Sequence, residues 1–164
     1  MYTIFDGTVT AGYQFASGNA VNRQLKPSPY SKGTLEIQSH NFKEAGFDLE
    51  TSIPNLYWGT VNVKLSEQLS LERPDLTLPN IDWTSGETAS GRIPPETFSF
   101  IRCCLAYRGI FHLGYIYYPH PETKPSNNAH HYDVLEVLTE HVDELAYGES
   151  VSVICRADAF APYP

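Results

Sequence analysis

Between Phe98 and Tyr118 the chain carries two dense β-type runs, Phe-Ser-Phe-Ile-Arg-Cys-Cys-Leu-Ala-Tyr and then Ile-Phe-His-Leu-Gly-Tyr-Ile-Tyr-Tyr, which meet at Arg108-Gly109. Aromatic and β-branched side chains fit a pleated, half-buried surface, and a short Gly-containing link between two such runs is the signature of a hairpin. The segment therefore reads as a long hairpin pivoting at Arg108-Gly109. Any fold for this chain has to be built around it.

Other strands follow from their alternation. Tyr2 to Thr10 reads as a first strand that Gly7 interrupts, and Leu56 to Leu65 as the clearest strand, with Val61, Val63 and Leu65 alternating with Thr60, Asn62 and Lys64. Tyr132 to Leu138 reads as a further strand, and Val151, Val153 and Cys155 mark a last one before a Pro-containing tail. Thr34 to Phe47 is the first plausible helix or strand-helix piece, stopped by Gly46, and His141 to Ala146 reads as a short helical turn ended by Gly148. Residues Gly12 to Gly18 form a glycine-punctuated loop that continues as a surface excursion to Gly33. Leu69 to Pro95 and Pro119 to His131, rich in proline and without sustained period, read as long loops. Many short strands with few helices predict a mostly-β, single-domain barrel or sandwich carrying one or two short helices.

Composition narrows the function classes. With 41% hydrophobic and 18% charged residues over 164 positions, the chain is expected to fold around one core. Nineteen acidic against eleven basic residues give a formal charge of -8, a field that repels phosphate backbones and argues against nucleic acid as a partner. No stretch approaches the roughly 18 apolar residues of a membrane span, and Met1 to Asp6 holds no basic region followed by an apolar one, so a cytoplasmic protein without a membrane partner is expected. Three cysteines are an odd count, and the neighbours Cys103 and Cys104 would point to opposite faces of a strand. Small core residues are expected there, and a disulfide framework is not. His120, His130, His131 and His141 fall close together in sequence but show no metal-ligand spacing, which leaves them as loop histidines. Nucleophile-elbow, Walker and dinucleotide fingerprints are missing too.

The most informative stretch is Gly59-Thr60-Val61-Asn62-Val63-Lys64-Leu65. Alternation puts a hydroxyl oxygen, an amide oxygen and an ammonium on one strand face. Neutral oxygens of this kind suit Mg²⁺, which keeps several waters and takes its charge-neutralising ligands from substrate phosphates. Taken alone, the same spacing also describes a strand with a polar outer face. Tyr57 and Trp58 could stack on a planar ligand, although large aromatics more often enter a core.

Gly-Thr-Val-Asn-Val-Lys-Leu resembles the Gly-Thr-Leu-Asn-(Val/Leu)-Lys-Leu signature of the archaeal CTP-dependent riboflavin kinases, preceded as in that family by a Gly-Phe, here Gly46-Phe47. Asp6-Gly7-Thr8-Val9-Thr10-Ala11-Gly12 is similar to the family's opening Gly-x-Val-x-x-Gly, Tyr132 to Leu138 to its Ile-Ile-Glu-Ile-Ile strand, and Leu145 to Val151 to its closing Leu-x-x-Gly-Asp-x-Val. The four pieces keep the family's order across most of the chain. The resemblance implies a cradle-loop β-barrel in which Thr60 and Asn62 hold Mg²⁺ and Glu136 contacts the flavin. Gly12, Tyr13, Gln14 and Gly18 would then lie along the nucleotide. A threonine contact to the flavin would fall to Thr123 or to Ser126, Asn127 or Asn128. The implied reaction moves a phosphoryl group from CTP, or another nucleotide, to riboflavin or a similar acceptor, giving FMN in the family's case, with positioning and metal-assisted charge neutralisation as the chief sources of rate.

Two departures favour an alternative. Five residues separate Gly12 from Gly18 where the family has a tight Gly-x-Gly-x-Gly run, and Thr139-Glu140-His141-Val142-Asp143-Glu144 offers carboxylates but no Lys or Arg. Close carboxylates repel a triphosphate by roughly 1 kcal/mol or more per unscreened pair. The alternative is a non-catalytic protein of the same fold that binds a flavin or another small ligand.

Overall fold

A computed structural model describes residues 1–11, 34–82, 87–88, 91–92, 94–123 and 131–164. In chain order they form β1 (Tyr2–Thr10), α1 (Thr34–Glu44), α2 (Leu49–Ser52), β2 (Val61–Leu65), β3 (Leu69–Leu71), β4 (Leu76–Ile81), β5 (Glu87–Thr88), β6 (Gly91–Arg92), β7 (Glu96–Tyr107), β8 (Ile110–Pro119), a 3-10 turn at Pro121–Thr123, β9 (Val134–Thr139), β10 (Ser150–Arg156) and β11 (Phe160–Pro162). The fold is mostly β, as the sequence predicts. Six antiparallel strands, β1-β2-β9-β8-β7-β10, close into a barrel because β10 pairs with β1 on one side and β7 on the other.

The length of β7 allows both closure and extension. Its residues Glu96 to Phe100 pair with β4, which stands outside the ring as an edge strand, whereas Cys103 to Ala106 pair with β10. The β7–β8 hairpin turns through Arg108 (φ 49) and Gly109 (φ 78), the two left-handed residues that a type I′ turn demands.

Alternation divides the side chains into two clusters. Ile101, Cys103, Leu105 and Tyr107 of β7 point into the barrel, among Val63, Ile116, Leu135, Val137, Val153 and Cys155. On the opposite face, Phe98, Phe100, Tyr117 and Leu138 pack beneath Leu35 and Phe42 of α1 and Leu49 of α2. The Phe42 ring lies 5.1 Å from both Phe98 and Phe100, edge-on, an arrangement the aromatic quadrupole favours. Helix α1 ends as expected at Gly46 (φ 98): the Gly46 N–H donates to Lys43 O, and the Phe47 N–H reaches back to Phe42 O at 2.8 Å. This is a Schellman closure, and it sets Phe47 against the same apolar cluster as Phe42, with its ring 4.7 Å from that of Phe100.

Several expectations need correction. β1 runs through Gly7 without a break, and glycine stands there because a Cβ would come within 2.6 Å of Lys64 O on β2. β2 begins at Val61 and not at Leu56, since Tyr57 to Gly59 form a turn in which the Tyr57 N–H donates to Thr139 O. Leu69 to Pro95 contains β3 to β6. Pro79 concealed β4, and proline is tolerated there because the strand is an edge whose register shifts between Leu78 and Ile81 around Asn80 (φ 55). Residues His141 to Ala146 form no helix, only a turn at Asp143-Glu144, and the Pro-containing tail forms β11, paired with β3. α2 was missed because four residues show no period; Asp48 caps it, its Oδ1 accepting from the Glu50 N–H at 3.1 Å. The surface loop expected at 12–33 lies outside the described residues.

Candidate functional site

The sheet register assembles one polar row on the outer face of the barrel. Asn62 on β2 lies directly opposite Thr10 on one side and Glu136 of β9 on the other, Glu136 lies opposite Tyr117 of β8, and Tyr117 opposite Phe100 of β7. Directly opposed residues share a face with Cβ atoms about 4.5–5.5 Å apart. Thr10, Asn62 and Glu136 are half-buried, whereas Tyr117 and Phe100 lie under α1. The row thus passes from an accessible polar margin into a covered aromatic layer.

At the covered end the Tyr117 hydroxyl donates to Gln38 Oε1 of α1 at 2.8 Å. Burial raises the Tyr117 phenol well above its ordinary range, and the charges of Glu136 and Glu96 push it further the same way. It therefore stays a neutral hydrogen-bond donor. Glu96 is itself 4% exposed, so the charges of one buried and one half-buried carboxylate act on the same phenol. Gln38, Glu96 and Tyr117 escaped sequence reasoning, because only the strand register and the seating of α1 bring them to Glu136.

Thr60 is half-buried immediately before β2, two residues from Asn62. Asn62 and Glu136 are therefore neighbours across a ladder, with Thr60 adjoining along the chain. Thr123 is engaged elsewhere: its hydroxyl donates to His120 O and accepts the Thr97 N–H, each at 3.0 Å. Gly12, Tyr13, Gln14, Gly18, Ser126, Asn127 and Asn128 lie outside the described residues, but β1 delivers the chain to that first segment at Thr10, beside Asn62. Trp58 packs against the outer cluster, whereas Tyr57 is exposed with its ring 5.5 Å from that of His141.

The neighbouring ladder pair is Thr8 and Lys64. The Lys64 ammonium pairs with the Asp133 carboxylate, a contact that holds Asp133 below the usual carboxylate range. Beside this pair lies an open depression of about 690 Å³ lined by Asp6, Thr8, Lys64, Ser66, Arg108 and Ser152 among others. Arg108, from the hairpin turn, bonds Glu144 and lies 3.8 Å from Glu149. The acidic segment is likewise engaged: Glu140 accepts from His112 at 2.9 Å, and Asp143 faces His141 at 3.2 Å. Its charges are thus partly answered by local partners and not simply added up against a phosphate.

The donor chemistry at Thr60 and Asn62 fits Mg²⁺, since both offer hard oxygen atoms. Among the described residues no group of three or more His, Cys, Asp or Glu side chains could hold a metal. Oxygen from a bound phosphate would be needed to complete such a site. His112, His120 and His141 each face a separate carboxylate, respectively Glu140, Glu122 and Asp143. Among the described residues, no helix is long and apolar enough to cross a membrane. No family model matches the chain, and no curated protein matches it either.

Proposed function

We propose that the chain is a divergent riboflavin-kinase-like phosphotransferase that moves a nucleotide phosphoryl group to the hydroxyl of riboflavin or a related acceptor. The observation that supports this reading is the direct opposition of Asn62 and Glu136, with Thr10 on the far side of Asn62. Residues singled out separately, for metal and for flavin, adjoin in one row at the strand end that leads into Gly12. Bound Mg²⁺ would neutralise phosphate charge at Thr60 and Asn62. The Glu136 carboxylate would accept a hydrogen bond from the acceptor and fix its orientation, and Tyr117 and Gln38 would hold the row's inner end rigid. Most of the rate advantage would come from placing the acceptor hydroxyl in line with the phosphorus.

A second reading, a flavin or small-ligand binder without turnover, draws support from the cations. Lys64 and Arg108 face Asp133, Glu144 and Glu149, which reduces the positive charge they offer a triphosphate. Titration with riboflavin, with and without Mg²⁺ and with CTP or ATP, separates the two when flavin fluorescence and FMN are followed together. FMN formed with either nucleotide is the expected result, and Asn62→Ala should reduce it at least about 100-fold if the amide holds the metal. Riboflavin binding without FMN would establish the second reading, and a folded Asn62→Ala protein with full activity would refute the metal assignment.

A further inference from the structure

The seam that closes the barrel is a short one. β7 and β10 pair through only Cys103 to Ala106 and Ser152 to Cys155, and beyond Cys103 β7 turns to β4 as its partner. The last pair of this seam is Cys103 opposite Cys155. Both side chains belong to the barrel interior, 7% and 1% exposed. Cys104 is paired with Ile154, one step along both strands and therefore on the other face.

Of the three pairings that three cysteines allow, one survives this geometry. Cys103 and Cys104 are neighbours pointing to opposite faces, and Cys104 and Cys155 are likewise separated by the sheet. Cys103 and Cys155 share a face and a register position. Opposed residues of an antiparallel ladder have Cβ atoms about 4.5–5.5 Å apart, and a disulfide needs about 3.5–4.5 Å, so closure asks for an approach of roughly 1 Å at the end of a ladder. All three cysteines are free thiols in the structure, in keeping with the small core residues expected from their odd count and from the adjacency of Cys103 and Cys104; the register that brings Cys155 to Cys103 is not legible in that spacing.

We propose that Cys103 and Cys155 are a reversible dithiol–disulfide couple that locks the barrel's closing seam. With a small-molecule disulfide as oxidant, one cysteine thiolate attacks a sulfur of the oxidant and releases one thiolate, leaving a mixed disulfide. The second cysteine gives its proton to solvent and attacks the protein sulfur of that mixed disulfide, which releases the second thiolate. The sum is two protein thiols and one small disulfide giving one protein disulfide and two small thiols. Burial pushes the Cys155 thiol up to about 11 and raises Cys103 still more, so in the closed barrel both are mostly protonated and exchange slowly. Oxidation is consequently fastest while the seam is open, during folding or partial unfolding.

The test refolds the reduced full-length chain from guanidinium in a buffer of oxidised and reduced glutathione, then quenches with acid, alkylates free thiols and maps peptides by mass. The expected product is lighter by two hydrogens before alkylation, links Cys103 to Cys155 and carries its single alkyl group on Cys104. It should melt roughly 10 °C above the reduced protein, because the link closes a long loop of the unfolded chain. Cys104→Ser should keep both the link and the shift, and Cys155→Ala should abolish both. If Cys155→Ala does not fold, the wild-type peptide map decides alone. Three alkylated cysteines after oxidative refolding, a link through Cys104, or a glutathione adduct that persists on Cys103 or Cys155 would each overturn the proposal.

Discussion

The barrel interior and the layer outside it share β7, β8 and β9, yet they are made of different material. Inside, mainly aliphatic residues such as Val63, Leu105, Ile116 and Val137 are enclosed by strands all round, so each owes its burial to backbone pairing. Outside, Phe98 and Phe100 are fully buried beneath α1, which meets the strands through side chains, by the ring contacts of its Phe42 and the Tyr117–Gln38 hydrogen bond. A layer held by side chains can open without breaking a ladder, and regions of that kind populate the low end of local stability. The Asn62–Glu136 row borders this layer, so its rigidity depends on α1 staying seated.

Removing a fully buried ring from the outer layer should strain that contrast most. Phe98→Ala deletes a side chain stacked on Tyr117 at 5.4 Å and should cost about 4 kcal/mol in denaturant unfolding. Leu105→Ala, inside the barrel, should cost about 3 kcal/mol. The difference in kind appears in hydrogen exchange: Phe98→Ala should release the amides of α1 well before those of β9, whereas Leu105→Ala should speed both together. Equal release in both variants would break the comparison.

Tyr117→Phe sharpens it at a single bond. Gln38 Oε1 would lose its phenol donor, and stability should fall by about 2 kcal/mol with the barrel intact by circular dichroism. The same residue sets an alkaline limit. Its folded pKa is raised, so the unfolded chain releases this proton first, near about pH 10, and the stabilisation is complete below that pH and declines above it. The decline between pH 10 and 11 should be shallower in Tyr117→Phe, which thermal melts across that range would measure. An unchanged slope would mean that other tyrosines dominate it.

The smallest effect is expected at Lys64, on the exposed side of the site. Lys64→Met breaks its pairing with Asp133 at a cost below about 1 kcal/mol, since solvent screens the pair. Asp133 is held low in the folded state, so its contribution is present above about pH 4 and fades as the pH falls through the lower folded value. Melts at pH 7 should therefore separate wild type from Lys64→Met, and melts near pH 2 should not.

These contrasts also explain what could be read in the sequence. The β7–β8 hairpin was legible because period-two alternation and the Arg108-Gly109 turn are both local. β4 was hidden because an edge strand admits Pro79 and a left-handed Asn80, features that otherwise mark a loop. Asn62 and Glu136 could be chosen one at a time from motifs. That they lie opposite each other depends on the register between β2 and β9, strands far apart in the chain, and no local pattern encodes it. The Tyr117–Gln38 bond is less legible still, since it requires the seating of a helix that shows only a weak apolar stripe.

The pairing of Tyr2 with Arg156 carries a consequence for how the protein is made. Among the six barrel strands β1 is made first and β10 last, so one flank of β1 has no partner until the other five have been synthesised. Bringing such distant segments together is entropically costly before any contact repays it, and folds dominated by these pairings are slow to form. The β7–β8 hairpin can form early, but the ring cannot close until β10 slides between β1 and β7. Until then two strand edges are open to other chains, which makes nascent copies of this protein natural clients for a chaperone that shields unpaired β-structure.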